Sequence, residues 1–363
     1  FKKRKDVDLV KKLTILFVAS FLLILMGCNS NNEMDEEPES VDVSNQQKVE
    51  VVAEDLDIPW SINKRDDVFY LSERTGTIAK IEGGELTRQP VELEKSLSTA
   101  QEAGLLGFVL IDDGTKGIAY YTYELDGQPL NRVVTLSLDD QKQVWVETDL
   151  LLDEIPSGAF HHGGRLAIGP DDKLYVTTGD ATEPELAQDQ NSLAGKILRM
   201  NKDGSIPEDN PSKESYLYSY GHRNPQGLAW TDEGEMYASE HGPTANDEIN
   251  KITAHGNYGW PEITGTEEKE GMITPLVTSG DDTTWAPSGI AYADNNLYIA
   301  SLRGTAVMQL NLETNEMSTL VSDVGRVRDV YVDGDHLYFI SNNTDGRGNP
   351  AEQDDRLYRL KIR

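Results

Sequence analysis

Cysteine is almost absent from this chain. Its 363 residues include one, Cys28, so no internal disulfide is possible and an apolar core has to hold any fold that follows. Basic charge is scarce as well. The 33 Lys and Arg against 63 Asp and Glu leave a net charge of −30, which disfavours nucleic acid and anionic membranes by like-charge repulsion. The acidic excess is read as solvation only. No long stretch shows helical periodicity, so the pattern is one of strands. Long apolar runs are also missing, except from Leu13 to Gly27, which falls short of the roughly 20 residues a spanning helix needs.

That run follows Lys2, Lys3, Arg4, Lys5, Lys11 and Lys12. A basic start, an apolar middle and a small residue at the end predict a secretory signal over residues 1–27. Cys28 comes directly after Leu25-Met26-Gly27. This resembles the lipobox of bacterial lipoproteins and implies a lipidated Cys28 and an extracytoplasmic, membrane-anchored location. Residues 28–48 are polar, acidic and nearly devoid of apolar side chains, and read as a tether. The expected domain is 49–363.

Within that domain one theme recurs. Gly164–Ile168 turns at Pro170-Asp171-Asp172 into Leu174–Thr177, and Gly227–Trp230 turns at Asp232-Glu233-Gly234 into Met236–Ser239. Gly289–Tyr292 and Arg328–Tyr331 do the same into Leu297–Ala300 and Leu337–Ile340, with weaker copies near Trp60 and Gly104. Period-two segments separated by Asp, Asn and Gly turns are hairpins, and several carry a third strand such as Lys196–Met200. Antiparallel units repeated about six times predict an all-β, six-bladed β-propeller; a β-sandwich would show fewer, less similar copies.

Functional residues of such a fold belong on loops. Four of the six histidines fall in Gly- or Pro-rich loops: His161 and His162, His222, and His241. Asp180 closes the strand after His161, and Arg326 and Arg328 lie one residue apart before a late strand. A histidine base, a carboxylate to orient it and arginines for an anion suit proton removal from a hydroxyl. The same residues also admit a bland reading, in which the histidine caps a turn and the arginines tie strands together through carbonyls.

Gly104-Leu105-Leu106-Gly107-Phe108, His161-His162-Gly163-Gly164-Arg165-Leu166, Gly179-Asp180, Gly195-Lys196-Ile197-Leu198-Arg199 and Gly221-His222-Arg223-Asn224-Pro225-Gln226-Gly227 occur in this order. Asp247-Glu248-Ile249-Asn250, Asn257-Tyr258-Gly259-Trp260-Pro261, Ala286-Pro287-Ser288 and Arg326-Val327-Arg328-Asp329 complete the series. Over residues 50–363 the ordered set resembles the glucose/sorbosone dehydrogenase family of quinoproteins. The resemblance implies a dehydrogenase that oxidises aldoses to lactones with pyrroloquinoline quinone (PQQ) and calcium. It implies His161 as general base, Asp180 as its orienting carboxylate, and Arg223 with Asn224 beside the quinone. Arg326 and Arg328 match a carboxylate clamp, a task that suits the planar guanidinium fork. Glu102 and Arg303 match further cofactor contacts. The carbonyls of Gly242 and Pro243 match calcium ligands, and Glu248 with the Tyr258 carbonyl matches part of a second calcium site.

Some positions differ from the glucose-oxidising members. Phe160 replaces a sugar-contacting aspartate, Glu102 a glutamine and Arg303 a lysine, and the loop before Ala286 is short. A broad aldose or oligosaccharide substrate is expected, with an unidentified electron acceptor. The rival readings are a propeller that binds sugar or protein without catalysis, a calcium-dependent lactone hydrolase, and a structural surface module.

Overall fold

The computed structural model describes residues 48–363 apart from residue 113. The expected signal segment (1–27), Cys28 and all but the last residue of the tether lie outside the described residues. Strands build almost everything else, and the helical content among the described residues is one 3-10 turn, Pro184–Ala187.

Four sheets have four antiparallel strands each. One holds Leu166–Ile168, Leu174–Thr178, Lys196–Met200 and Leu217–Tyr220. The next holds Pro225–Trp230, Met236–Glu240, Glu248–Ile252 and Val277–Thr278, and the one after it starts at Pro287–Ala293 and ends at Met317–Val321. The hairpin from Pro287–Ala293 into Asn296–Ser301 has a two-residue loop, Asp294-Asn295, with both φ angles positive at 49° and 60°. That is the turn whose twist matches the twist of its strands, and Asp and Asn tolerate it. A fifth sheet has eight strands, because the meander Pro59–Arg65 to Glu85–Glu92 joins the meander Leu105–Ile111 to Val144–Pro156 through a short parallel pairing at Val91 and Trp145. The repeat pattern had not foretold this junction or the length of the strands Gln128–Asp139 and Val144–Pro156.

The first strands of these units pack against one another in succession. Pro59–Arg65 touches Leu105–Ile111, Pro225–Trp230 touches Pro287–Ala293, and Val327–Asp333 returns to Pro59–Arg65. The result is a β-propeller-like ring. Its last sheet mixes the two ends of the described chain, Glu50–Ala53 pairing antiparallel with Leu357–Lys361. This pairing covers an edge that would otherwise stay open. The core lies between sheets: Trp60, Leu106, Ile118, Leu166, Val176 and Leu198 form one cluster, and Ala300, Val307, Val327, Val330 and Phe339 another. Inner strands carry apolar side chains into these clusters, while polar residues gather in the loops and at the strand starts, as Gln226 and Arg328 do.

Candidate active site

Those loops enclose a cavity of about 450 Å³. His161, Arg223, Asn224 and Glu102 line it, as do Arg303, Arg326 and Arg328 and the residues Gly242 and Pro243. Nine of the residues singled out above are thus brought to one place from segments up to 226 positions apart, Glu102 to Arg328.

His161 stands on the loop before Leu166–Ile168 with a left-handed backbone, φ 67°. Glycine neighbours make the position possible. A Cβ at Gly179 would collide with the His161 carbonyl, so the next strand can pass behind the histidine only because that residue is glycine. His161 Nδ1 lies 2.8 Å from Asp180 Oδ1. An ionised carboxylate accepts only, so Nδ1 carries the proton and Nε2 is left as a base. Asp180 does not line the cavity and is 1% exposed. It also accepts from the Thr182 backbone N–H at 2.9 Å and from Trp260 Nε1 at 2.9 Å.

Arg223 lies over the Trp260 ring, 5.4 Å from its centroid, and donates to the His241 carbonyl at 3.2 Å. Burial lowers its pKa below the usual arginine range, against the pull of nearby carboxylates. Asn224 uses Oδ1 to hold the Gly163 N–H at 3.0 Å, tying the Arg223 loop to the His161 loop. Arg328 donates to Asn342 Oδ1 at 3.1 and 3.2 Å and to Gln226 Oε1 at 2.9 Å. These partners are neutral, and burial pushes its pKa down to about 9. Arg326 is paired with Asp345 at 2.8 Å. Arg303 is exposed and lines the cavity without a side-chain hydrogen bond among the described residues. Arg328 had been placed ahead of its strand; it lies inside it, as the second residue of Val327–Asp333.

Glu248 and Tyr258 lie apart from this cavity. They border a void of about 10 Å³, on the other side of Gly242 and Pro243, together with Glu240. Glu240 and Glu248 are directly opposed across their strand pair. Burial, and then the charge of Glu240, pushes the Glu248 carboxyl up to about 8. A cation beside it would remove that cost. Among the described residues no three His, Cys, Asp or Glu side chains cluster as metal ligands, so backbone carbonyls would have to complete any such site.

Several residues of the site carried no assigned role in the sequence. Arg347 lines the cavity and pairs with Glu102; burial alone would raise the Glu102 carboxyl, yet Arg347 outweighs it and holds it at about 2. Only its Gly-, Asn- and Pro-rich surroundings marked Arg347 as a loop cation. Asp247 shapes the cavity wall by accepting from the N–H groups of Gly242, Trp285 and Ala286 at 2.6–2.9 Å. His241, which burial pushes down to about 4, keeps a buried Nε2 with no partner. Phe160 is 39% exposed and packs edge-on against the His161 ring at 4.8 Å.

The family described as Glucose / Sorbosone dehydrogenase matches residues 56–359. The chain belongs to this family. Membership makes it an enzyme, an oxidoreductase. Aldose sugar dehydrogenase YliI of Escherichia coli (strain K12) is 28% identical over 344 residues, 82% of this chain and 91% of that protein. The PQQ-bound form of aldose sugar dehydrogenase from Streptomyces coelicolor superposes with a TM-score of 0.80 at 36% identity, covering 86% of this chain and 98% of that one. Quinoprotein glucose dehydrogenase B of Acinetobacter calcoaceticus is 45% identical over 143 residues, and the match spans 33% of this chain and 30% of that relative. The residues that line the arginine-rich cavity all fall within the matched span, 56–359.

Proposed function

We propose that this protein is a quinoprotein aldose dehydrogenase: a six-bladed propeller, anchored outside the cytoplasmic membrane through Cys28, that oxidises the anomeric hydroxyl of sugars to lactones. The observation that carries the reading is one cavity, in a protein of net charge −30, which gathers five arginines around a carboxylate-oriented histidine. Four four-stranded sheets plus an eight-stranded sheet made of two meanders support the count of six blades. The similarity to the PQQ-bound Streptomyces coelicolor enzyme supports the cofactor.

The cavity fits a flat, polycarboxylated anion. Among the described residues buried Arg328 has no carboxylate partner and exposed Arg303 no side-chain partner, and buried charge of one sign asks for an opposite charge. Arg326 and Arg328 would clamp cofactor carboxylates, with Arg303, Glu102 and Asn224 at other edges. Bound there, PQQ would supply a hydride acceptor, a two-electron oxidant for the sugar's anomeric carbon. His161 Nε2 takes the proton of the anomeric hydroxyl. Asp180 holds the imidazole in the required tautomer and stabilises the charge it gains. Arg223 places a fixed positive charge where negative charge develops. The carbonyls of Gly242 and Pro243 would hold a calcium ion beside the cofactor, and Glu248 and the Tyr258 carbonyl a second one. Oxygen donors, with the Glu248 carboxyl opposed to Glu240 across the strand pair, suit that hard cation.

The test is dye reduction by the purified protein with calcium, across a panel of aldoses, with and without added PQQ. Quinone-dependent activity is the expected result. Failure to bind the quinone in an absorbance titration, with no dye reduced by any sugar, would leave a sugar- or protein-binding propeller instead.

A further inference from the structure

In the segment 257–261, Trp260 touches both halves of the catalytic arrangement. The indole Nε1 donates to Asp180 Oδ2 at 2.9 Å, opposite the oxygen that faces His161. The face of the same ring lies beneath the Arg223 guanidinium. No other described side chain is shared in this way between the carboxylate behind the base and the cation across the cavity.

The ring itself is fixed from behind. The Trp260 backbone N–H donates to the Gly221 carbonyl at 2.9 Å, and its carbonyl accepts from Gln188 Nε2 at 2.7 Å. Gln188 is locked to Asn257 by two side-chain hydrogen bonds of 2.9 and 3.0 Å. Beneath that, buried Lys196 donates to the carbonyls of Leu186, Ala187 and Ala194 at 2.5–3.0 Å and so ties down the turn that carries Gln188. Such a chain costs conformational entropy in every member and is built around a ring that only half buries itself.

We propose that Trp260 is a positioning residue that holds the Asp180–His161 pair and Arg223 in one mutual geometry. A carboxylate with two oxygens and one histidine can rotate; a donor on the second oxygen stops the rotation and keeps the Nδ1 bond aligned. A guanidinium over an indole face is likewise kept from swinging towards Asp180 or Glu240, the carboxylates nearest it. The proposal rests on the dehydrogenase reading for its effect on turnover, and on the described geometry alone for its effect on His161.

Trp260→Phe keeps a ring under Arg223 and removes the N–H; Trp260→Leu removes both. Two readouts separate the roles. In protein with 15N-labelled histidine, the hydrogen-bonded Nδ1 proton of His161, assigned by its loss in His161→Ala, should weaken or vanish in Trp260→Phe. His162, held by Ser157 and the Gln101 carbonyl, should not change and reports an intact fold. In the quinone-loaded enzyme, Trp260→Phe should lower kcat about tenfold with KM and quinone affinity within ~3-fold, and Trp260→Leu should in addition weaken quinone binding about tenfold. Adding Trp260→Phe to Asp180→Asn should cost no more than Asp180→Asn alone. If Trp260→Phe unfolds, Gln188→Ala, which frees the Trp260 carbonyl from outside the cavity, should move the same readouts by less. An unchanged His161 proton and an unchanged kcat overturn the proposal. A changed proton in Trp260→Phe, with a wild-type protein that oxidises no sugar, upholds the positioning role and sinks the dehydrogenase reading instead.

Discussion

Two arginines of equal burial lie within one residue layer of each other and do opposite things. Arg165 and Arg328 are 6% and 5% exposed. Arg165 faces Asp329 at 2.9 Å, lies over Trp60 at 4.3 Å and donates to the Gln226 carbonyl at 2.7 Å. Arg328 has only amide oxygens, one of them from the side chain of the same Gln226. A guanidinium with its own carboxylate is a spent charge, and it ties inner strands together. One with neutral acceptors is oriented but not neutralised, so its field reaches the cavity. Burial alone does not separate scaffold from site. In this pair the counterion does, whereas Arg326 keeps Asp345 as a partner and still lines the cavity.

The comparison predicts which changes cost function and which cost stability. The largest effect belongs to His161→Ala, expected to lower sugar-dependent dye reduction by ~10²–10⁴ with little change in melting temperature. A parallel loss of stability would move His161 to the scaffold side. Next comes Asp329→Asn, which strands Arg165 in the interior. Urea titration should show a loss of about 3–5 kcal/mol, and the molecules still folded should bind the quinone as before. A variant that instead keeps its stability and loses the quinone would erase the distinction between the two layers.

Arg328→Met should do the reverse. Absorbance titration should show quinone binding about 30-fold weaker, near 2 kcal/mol, while the quinone-free protein melts within a few degrees of wild type. The smallest effect concerns pH. Glu248 takes up a proton more readily folded, at about 8, than in the unfolded chain, so the folded state binds more protons between about 4.5 and 8. Its contribution is present below that window and is lost as pH rises through it. The metal-free protein should therefore melt at lower temperature at pH 8 than at pH 5. Added calcium should flatten that slope, and Glu248→Gln should abolish both the slope and the calcium effect.

Most strands and hairpin turns were legible in the chain because each is a local matter, whereas most cavity residues were marked only by the family resemblance. Tyr-, Val- and Ile-rich strands announce themselves by alternation, and glycine beside His161 and Asp180 by the backbone it permits. Arg347 was not legible: an arginine in a Gly- and Asn-rich loop looks like any solvated cation until the fold sets it against Glu102, 245 positions away. The parallel junction between Val91 and Trp145, and the closing pair of Glu50–Ala53 with Leu357–Lys361, also join distant segments that share no local signal.

By itself the sequence determined that this is an all-strand domain without disulfides, acidic overall, with four of its histidines held on Gly- or Pro-rich loops. Only the tertiary structure decided which arginines are free to meet a ligand, that Trp260 serves both Asp180 and Arg223, and that Glu240 and Glu248 face each other across a strand pair. The reason is physical. Strand propensity and turn chemistry act over a few residues, whereas the state of a charge depends on what is folded against it.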